Sequence, residues 1–459
     1  MNHKKKLLVK AIGVGLLTCA SAAQAANWLM LQGTEKDGQS ARAKLWGFVQ
    51  VQYQNDRSSA NSGDGYIPPK LIGPNLNSQS AFNVNRARIG VRGTGFPLDN
   101  KVNYFFLAEF GNNGITAPGD RNVRITDASI TLNHIPGARV RAGLFKTPGA
   151  EEGLQAIHVF DYINFTTVTN QLLLERFPNS NGSYDAAINN APIGLPSPTG
   201  IGAFDSSVGA FRDTGIQVFD TFKVDNWEHS YAVMYGNGNG LNFGNGDGHY
   251  DTYLYWSSEL VFGGKGGRRQ GLKMFAWGQS GKRLLDTTND TTYNPESYDR
   301  DRSGLGFKYL QKPFRVSAEY MQGKGMIFVG QDKATFDINP AVAGGNGEEG
   351  KANGYYLEGG WYIPNSKWEI DLRYDIYNRL TDDTPFPAGA PPAVAGKTFE
   401  MNFQTITLGA QYHINKKTRI NMEVSDRTFE AVDWDSGAGP NANLDGVSQR
   451  YAIQLTHVF

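Results

Sequence analysis

A chain of 459 residues with 44 basic and 44 acidic side chains has no net charge, and that balance argues against a nucleic-acid binder, which needs a basic face. Glycine at 55, aromatics at 12% and a mean hydropathy of -0.43 suit a β-protein with wet loops. Outside the N-terminus no run of about 18 apolar residues marks a spanning helix, so any membrane crossing must be made by strands.

At the N-terminus Lys4, Lys5, Lys6 and Lys10 flank the apolar run Ala11 to Ala22, and Ala23-Gln24-Ala25 is a small-x-small cleavage site. This is an export signal over residues 1–25, expected to be cut after Ala25. Its loss leaves 40 basic against 44 acidic residues and removes Cys19, the single cysteine. Thr18 before Cys19 makes a poor lipidation signal. The exported chain is then expected to form no disulfide and to bind no metal through cysteine.

Residues 26–41 read as a lead-in with a turn at Gly33, Asp37 and Gly38. The remainder, 42–459, is dominated by period-two alternation. Lys44 to Asn55 is the first strand, and Asp56 to Ser80 is a polar loop. In the strand Phe82 to Gly95, Arg86, Arg88 and Arg92 share one face while Ala87, Ile89 and Val91 share the other. Strands follow at Val102 to Gly111, Val123 to His134 and Arg139 to Thr147.

Residues 148–212 interrupt this rhythm, and Ile157 to Leu174 within them is not polar. A structureless connection of that length fits a compact domain poorly. It fits a loop folded back into a barrel interior, which is expected up to about Phe177.

From Asp213 the alternation resumes. The candidate strands are Thr214 to Phe222, Glu228 to Asn237, His249 to Phe262, Leu272 to Lys282, Ser303 to Leu310, Phe314 to Lys324, Gly354 to Ile363, Lys367 to Leu380, Phe403 to His413, Thr418 to Phe429 and Ser448 to Phe459. With the five upstream, about sixteen strands are predicted, and the even number, the alternating short and long connections and the apolar-out, charged-in faces are those of an outer-membrane barrel. Arg283 to Arg302 is expected as one of the long loops. The fold class is therefore all-β, a transmembrane antiparallel β-barrel with an inward-folded third loop and outer-membrane lipid against its apolar face.

Several stretches resemble the phosphate- and polyphosphate-selective porins of Gram-negative outer membranes. They are Lys44-Leu45-Trp46-Gly47-Phe48-Val49-Gln50, Arg86 to Gly93, Asp127-Ala128-Ser129-Ile130-Thr131, Ala142 to Pro148, Leu174-Glu175-Arg176 and Thr214-Gly215-Ile216-Gln217. The resemblance implies sixteen strands, a constricting third loop and a homotrimer. Separately, the ending at Phe459, in phase with Tyr451, Ile453 and Leu455, looks like the signal read by the barrel-assembly machinery. The chain departs from the phosphate-selective members, which place an arginine at Phe48, a double arginine at Asn85-Arg86 and lysines within Ala150 to Ala156.

The candidate anion track is Arg86, Arg88, Arg92, Arg139, Arg141, Arg315 and Arg373, with Arg379, Arg419 and Arg427 further along. A guanidinium stays charged and offers a donor fork to phosphate or carboxylate, so a row of them passes small anionic solutes onward. The alternative is that they brace the wall against Glu109, Asp127, Glu319, Glu369, Asp371, Asp375 and Glu423. In the constriction loop Glu151, Glu152, His158, Asp161, Glu175 and Arg176 are the candidates, the acids forming a negative lip opposite the arginines. No serine, histidine and aspartate grouping suggests an enzyme, and no cofactor is expected.

The function read from these residues is passive diffusion of small hydrophilic solutes with a mild anion preference. The alternatives are a non-selective general porin and, from another class, a barrel scaffold holding a periplasmic or surface partner.

Overall fold

The computed structural model describes residues 27–35, 41–58, 80–113, 115–116, 123–174, 210–241, 243–245, 248–264, 266–285, 296–326, 350–385, 387–389, 392, 395–398, 400–438 and 441–459. Sixteen antiparallel strands close into one barrel in which each strand pairs with its sequence neighbours and the last pairs with the first. The strands are β1 (Lys44–Asp56), β2 (Ser80–Gly95), β3 (Asp99–Glu109), β4 (Arg124–Leu132), β5 (Arg139–Lys146), β6 (Arg212–Val224), β7 (Trp227–Gly236) and β8 (Asp251–Gly263). The second half comprises β9 (Gln270–Leu285), β10 (Glu296–Gln311), β11 (Phe314–Lys324), β12 (Ala352–Tyr362), β13 (Trp368–Arg379), β14 (Met401–Asn415), β15 (Thr418–Ala431) and β16 (Arg450–Val458). Closure leaves no unpaired strand edge, which is the condition for a sheet to sit in lipid.

The alternation sorts the two faces. Leu45, Val51, Ile89, Ile130, Ile216, Leu254, Leu305, Leu372, Leu408 and Leu455 are exposed on the outer wall, whereas Gln50, Gln52, Arg88, Asp371, Arg373 and Glu423 are buried on the enclosed one. Exposed aromatics stand near the short turns, at Phe262, Phe314, Trp361 and Trp368, and again toward the long connections, at Phe82, Phe110, Tyr235 and Tyr250. Two aromatic girdles bounding an apolar band match the two interfaces of a bilayer.

Three details go beyond the sequence reading or amend it. Asn85 and Arg86 are both buried, because a bulge pairs Arg86 with Gln50 but Val84 with Val51 and leaves Asn85 as the extra residue. Both ends of the predicted loop Arg283 to Arg302 are strand, since β9 and β10 stay paired out to Leu285 and Glu296; residues 286–295 lie outside the described residues. The lead-in forms a helical turn, α1 (Trp28–Leu31), whose Asn27 side chain accepts the Met30 N–H; Gly33 follows at φ +61°, while Asp37 and Gly38 lie outside the described residues.

Candidate pore site

After β5 the chain forms a short helix, α2 (Glu151–Leu154), then a 3-10 turn at Ile157–Val159 and a π turn at Thr169–Leu173. Its backbone polar groups have little secondary structure of their own, so charged side chains of the wall satisfy them. Glu319 of β11 accepts the Glu151 N–H at 3.1 Å, Glu423 of β15 accepts that of Ile163 at 2.8 Å, and Asp375 of β13 accepts that of Thr167 at 2.7 Å. In the other sense Arg302 donates to the Leu172 carbonyl at 3.1 Å, Arg373 to Asn164 at 3.0 Å and Arg419 to Phe160.

The carboxylates of this segment are also engaged. Glu151 pairs with Lys273 at 2.7 Å and Lys308 at 3.4 Å, and these lysines hold its carboxyl below the usual range against the opposing cost of burial. Asp161 bonds Arg268 at 2.6 Å and Arg315 at 3.2 Å, and these cations depress its pKa although burial opposes them. Glu152 is different: burial pushes its pKa up to about 7 despite Arg373, which lies 3.6 Å away. His158 sits beside the rings of Trp46 and Phe48, at centroid distances of 6.2 and 5.2 Å. Burial, with repulsion from Arg419, Lys146 and Arg88, lowers its pKa to about 4, so it is neutral at pH 7.

Across from the strands that hold this segment, Arg86 and Arg88 of β2, Lys146 at the end of β5 and Arg212 at the start of β6 line one cavity with Thr116, Glu152 and Gln155. Arg88 pairs with Glu109 at 2.6 Å and Arg212 with Asp127 at 3.1 Å. Lys146 instead donates to the carbonyls of Gln155 at 2.6 Å and Leu154 at 3.4 Å. Lys146 and Arg212 stand directly opposite one another in the β5–β6 ladder, and both are buried. Facing like charges weaken a sheet, so a pair kept there is a site candidate rather than a bracing device.

The model of the phosphate-selective porin O and P family matches residues 70–433. The chain belongs to that family.

It is thus an outer-membrane porin, and the family points to a channel. No curated protein sequence matches it. Among solved structures it is similar to a loop L8 deletion mutant of OmpT, an outer-membrane protein of Vibrio cholerae, at 10% identity over 91% of this chain and 99% of that one, with a TM-score of 0.50. It is also similar to the outer-membrane channel DcaP of Acinetobacter baumannii, at 12% identity over 94% of this chain and 100% of that one, with a TM-score of 0.49. A third similar structure is OmpF of Salmonella typhi in complex with daunomycin, at 13% identity over 91% and 97% of the two chains, with a TM-score of 0.46. At 10% identity, the likeness to OmpT speaks for the barrel fold alone.

Within the porin, the predicted arginines part company. Arg86 and Arg88 reach the cationic cavity, and the Arg88 guanidinium lies 5.7 Å over the Phe48 ring. Arg315 is enclosed by acids, with Glu369 at 2.7 Å, Glu358 at 3.7 Å and Asp371 also paired, and Arg373 holds the segment after β5 while stacking 4.1 Å over Tyr162. Arg139 pairs with Asp220. Arg92 and Arg141 donate to carbonyls of the N-terminal segment, those of Leu31, Thr34 and Gln32. A single seven-residue track is therefore not what these side chains form. The expected negative lip is not free either, since Glu151 and Asp161 are neutralised by cations; Glu175 and Arg176 lie outside the described residues. Lys146 and Arg212 were missed because the long segment between them hides their pairing; two cations ending and reopening adjacent strands were the available signal.

Proposed function

We propose that the porin passes small hydrophilic solutes by passive diffusion with a mild preference for anions, phosphate among them. The observation that carries this reading is the buried like-charge pair of Lys146 and Arg212 beside Arg86 and Arg88. Among the described residues Glu109 pairs with Arg88 and Asp127 with Arg212, and Glu152, with a pKa raised to about 7, adds only a partial charge at neutral pH. An anion passing this cluster meets several nitrogen donors at once, and a fork of guanidinium N–H groups suits phosphate. The segment at 148–174 serves as the constriction, its position set by the wall residues that satisfy its backbone.

Export with cleavage after Ala25, assembly as a homotrimer and recognition of Phe459 by the barrel-assembly machinery belong to the same proposal. Phe459 exchanges backbone hydrogen bonds with Gly47, at 3.0 and 3.4 Å, where the barrel closes. Planar-bilayer recording under a salt gradient tests the selectivity. A reversal potential of anion sign, reduced in Lys146→Gln and competed by phosphate, is expected; cation selectivity would overturn the reading. The second reading, a non-selective porin, draws on the four acids around Arg315 and the wall charges that hold the segment. It predicts that Arg86→Ala with Arg88→Ala leaves selectivity unchanged. A barrel without conductance would favour the scaffold.

A further inference from the structure

We infer that the N-terminal segment, residues 27–35, is a removable plug seated in the short-turn mouth of the barrel, where it limits conductance. This inference rests on the porin reading.

The segment's apolar residues are enclosed: Trp28, Leu29 and Met30 are 7%, 3% and 4% exposed. It is received by polar groups from four strands, one of them held in turn by a fifth. Arg92 of β2 donates to the carbonyls of Leu31 at 3.1 Å and Thr34 at 3.0 Å and pairs with Glu35. Asn103 of β3 accepts the Glu35 N–H at 2.9 Å. Arg141 of β5, steadied by Thr131 of β4 at 3.2 Å, donates to Gln32, and Asn27 donates to Ser230 of β7. All five strands contribute residues near their short turns, so the segment sits at that end and nowhere deeper.

Two details mark a fitted but reversible seat. The indole of Trp28 lies on Gly267 in the turn between β8 and β9, so closely that a Cβ there would be 2.5 Å from the ring. The indole N–H itself is buried without an acceptor among the described residues. Burying an unmet donor opposes docking, whereas the arginine contacts favour it. The segment begins just past the expected cleavage site after Ala25, so the exported chain would carry the plug at its free end, joined to β1 on one side only.

The test uses the full barrel in planar bilayers. Deletion of residues 27–35, and separately Gly267→Leu, which evicts Trp28 while leaving the N-terminus intact, should each raise single-channel conductance measurably, because the plugged mouth and the constriction at 148–174 resist flow in series and removing one lowers the sum. Met30→Cys should resist a water-soluble maleimide and become reactive when combined with Gly267→Leu. Assembled variants with wild-type conductance, or a Met30→Cys that labels equally fast in both backgrounds, would overturn the plug. A wild-type barrel that carries no current while Met30→Cys stays protected would instead overturn the porin reading and leave the docked segment standing.

Discussion

Arg88 and Glu109 face each other across β2 and β3 and meet at 2.6 Å, with Glu109 wholly enclosed at 0% exposure. The carboxylate also accepts the backbone N–H groups of Ala87 and Gly111, each at 2.9 Å. Arg88→Ala strands that charge, and breaking one side of a buried pair costs about 3–5 kcal/mol. A lower denaturation midpoint in detergent is the expected result. Glu109→Gln keeps a carbonyl for the two backbone donors and releases Arg88, so anion selectivity should rise above wild type in the reversal-potential assay.

Asp161 is the clasp between the segment after β5 and two arginines from different parts of the wall, Arg268 of the β8–β9 turn and Arg315 of β11. Asp161→Asn keeps the size and removes the charge. The segment should loosen, seen as higher open-channel noise and a larger solute cut-off in liposome swelling, with the barrel still assembled.

Glu152 links pH to both stability and selectivity. Its folded pKa of about 7 lies above the ordinary 4.5, so the folded state holds the proton more tightly than the unfolded chain. The stabilisation is full below about 4.5 and is lost as pH rises through about 7. The same rise adds a negative charge facing Arg373, Glu358 and Thr166, in a cavity shared with Arg86, Arg88, Lys146 and Arg212. Anion preference should therefore fall between pH 6 and 8, roughly a unit on each side of that pKa, and Glu152→Gln should abolish the change. A pH-independent reversal potential in wild type would refute this.

Gly143 adopts φ +126°, and a Cβ there would stand 2.1 Å from the Ala128 carbonyl oxygen of β4. Both objections act on backbone that cannot yield without breaking the β4–β5 ladder. Gly143→Ala should cost well over 1 kcal/mol, and it should reduce the folded, heat-modifiable fraction on cold gels, whereas Gly137→Ala, in open space, should suffer only from its positive φ.

Much of the barrel could be read along the chain because a strand in a wall between lipid and water repeats every two residues. Ile370, Leu372 and Tyr374 against Glu369, Asp371 and Arg373 need no distant partner to declare their faces. The number of strands and the alternation of short and long connections followed from that period and from turn residues such as Pro136-Gly137. Where the period lapsed the reading lapsed too: the paired strand ends at Leu285 and Glu296 looked like loop, and the bulge at Asn85 was invisible because it depends on register with β1.

The roles of the enclosed charges were decided by tertiary structure. Alternation placed Arg88, Arg92 and Arg141 on the inner face, but pairing alone chose Glu109 for the first and the carbonyls of Leu31, Thr34 and Gln32 for the others. Lys146 and Arg212 became neighbours only when β5 and β6 met across the long segment. A side chain's direction is a local property of the backbone, set by the residues beside it. The charge it meets there is a property of closure, which brings together strands that are remote in the chain.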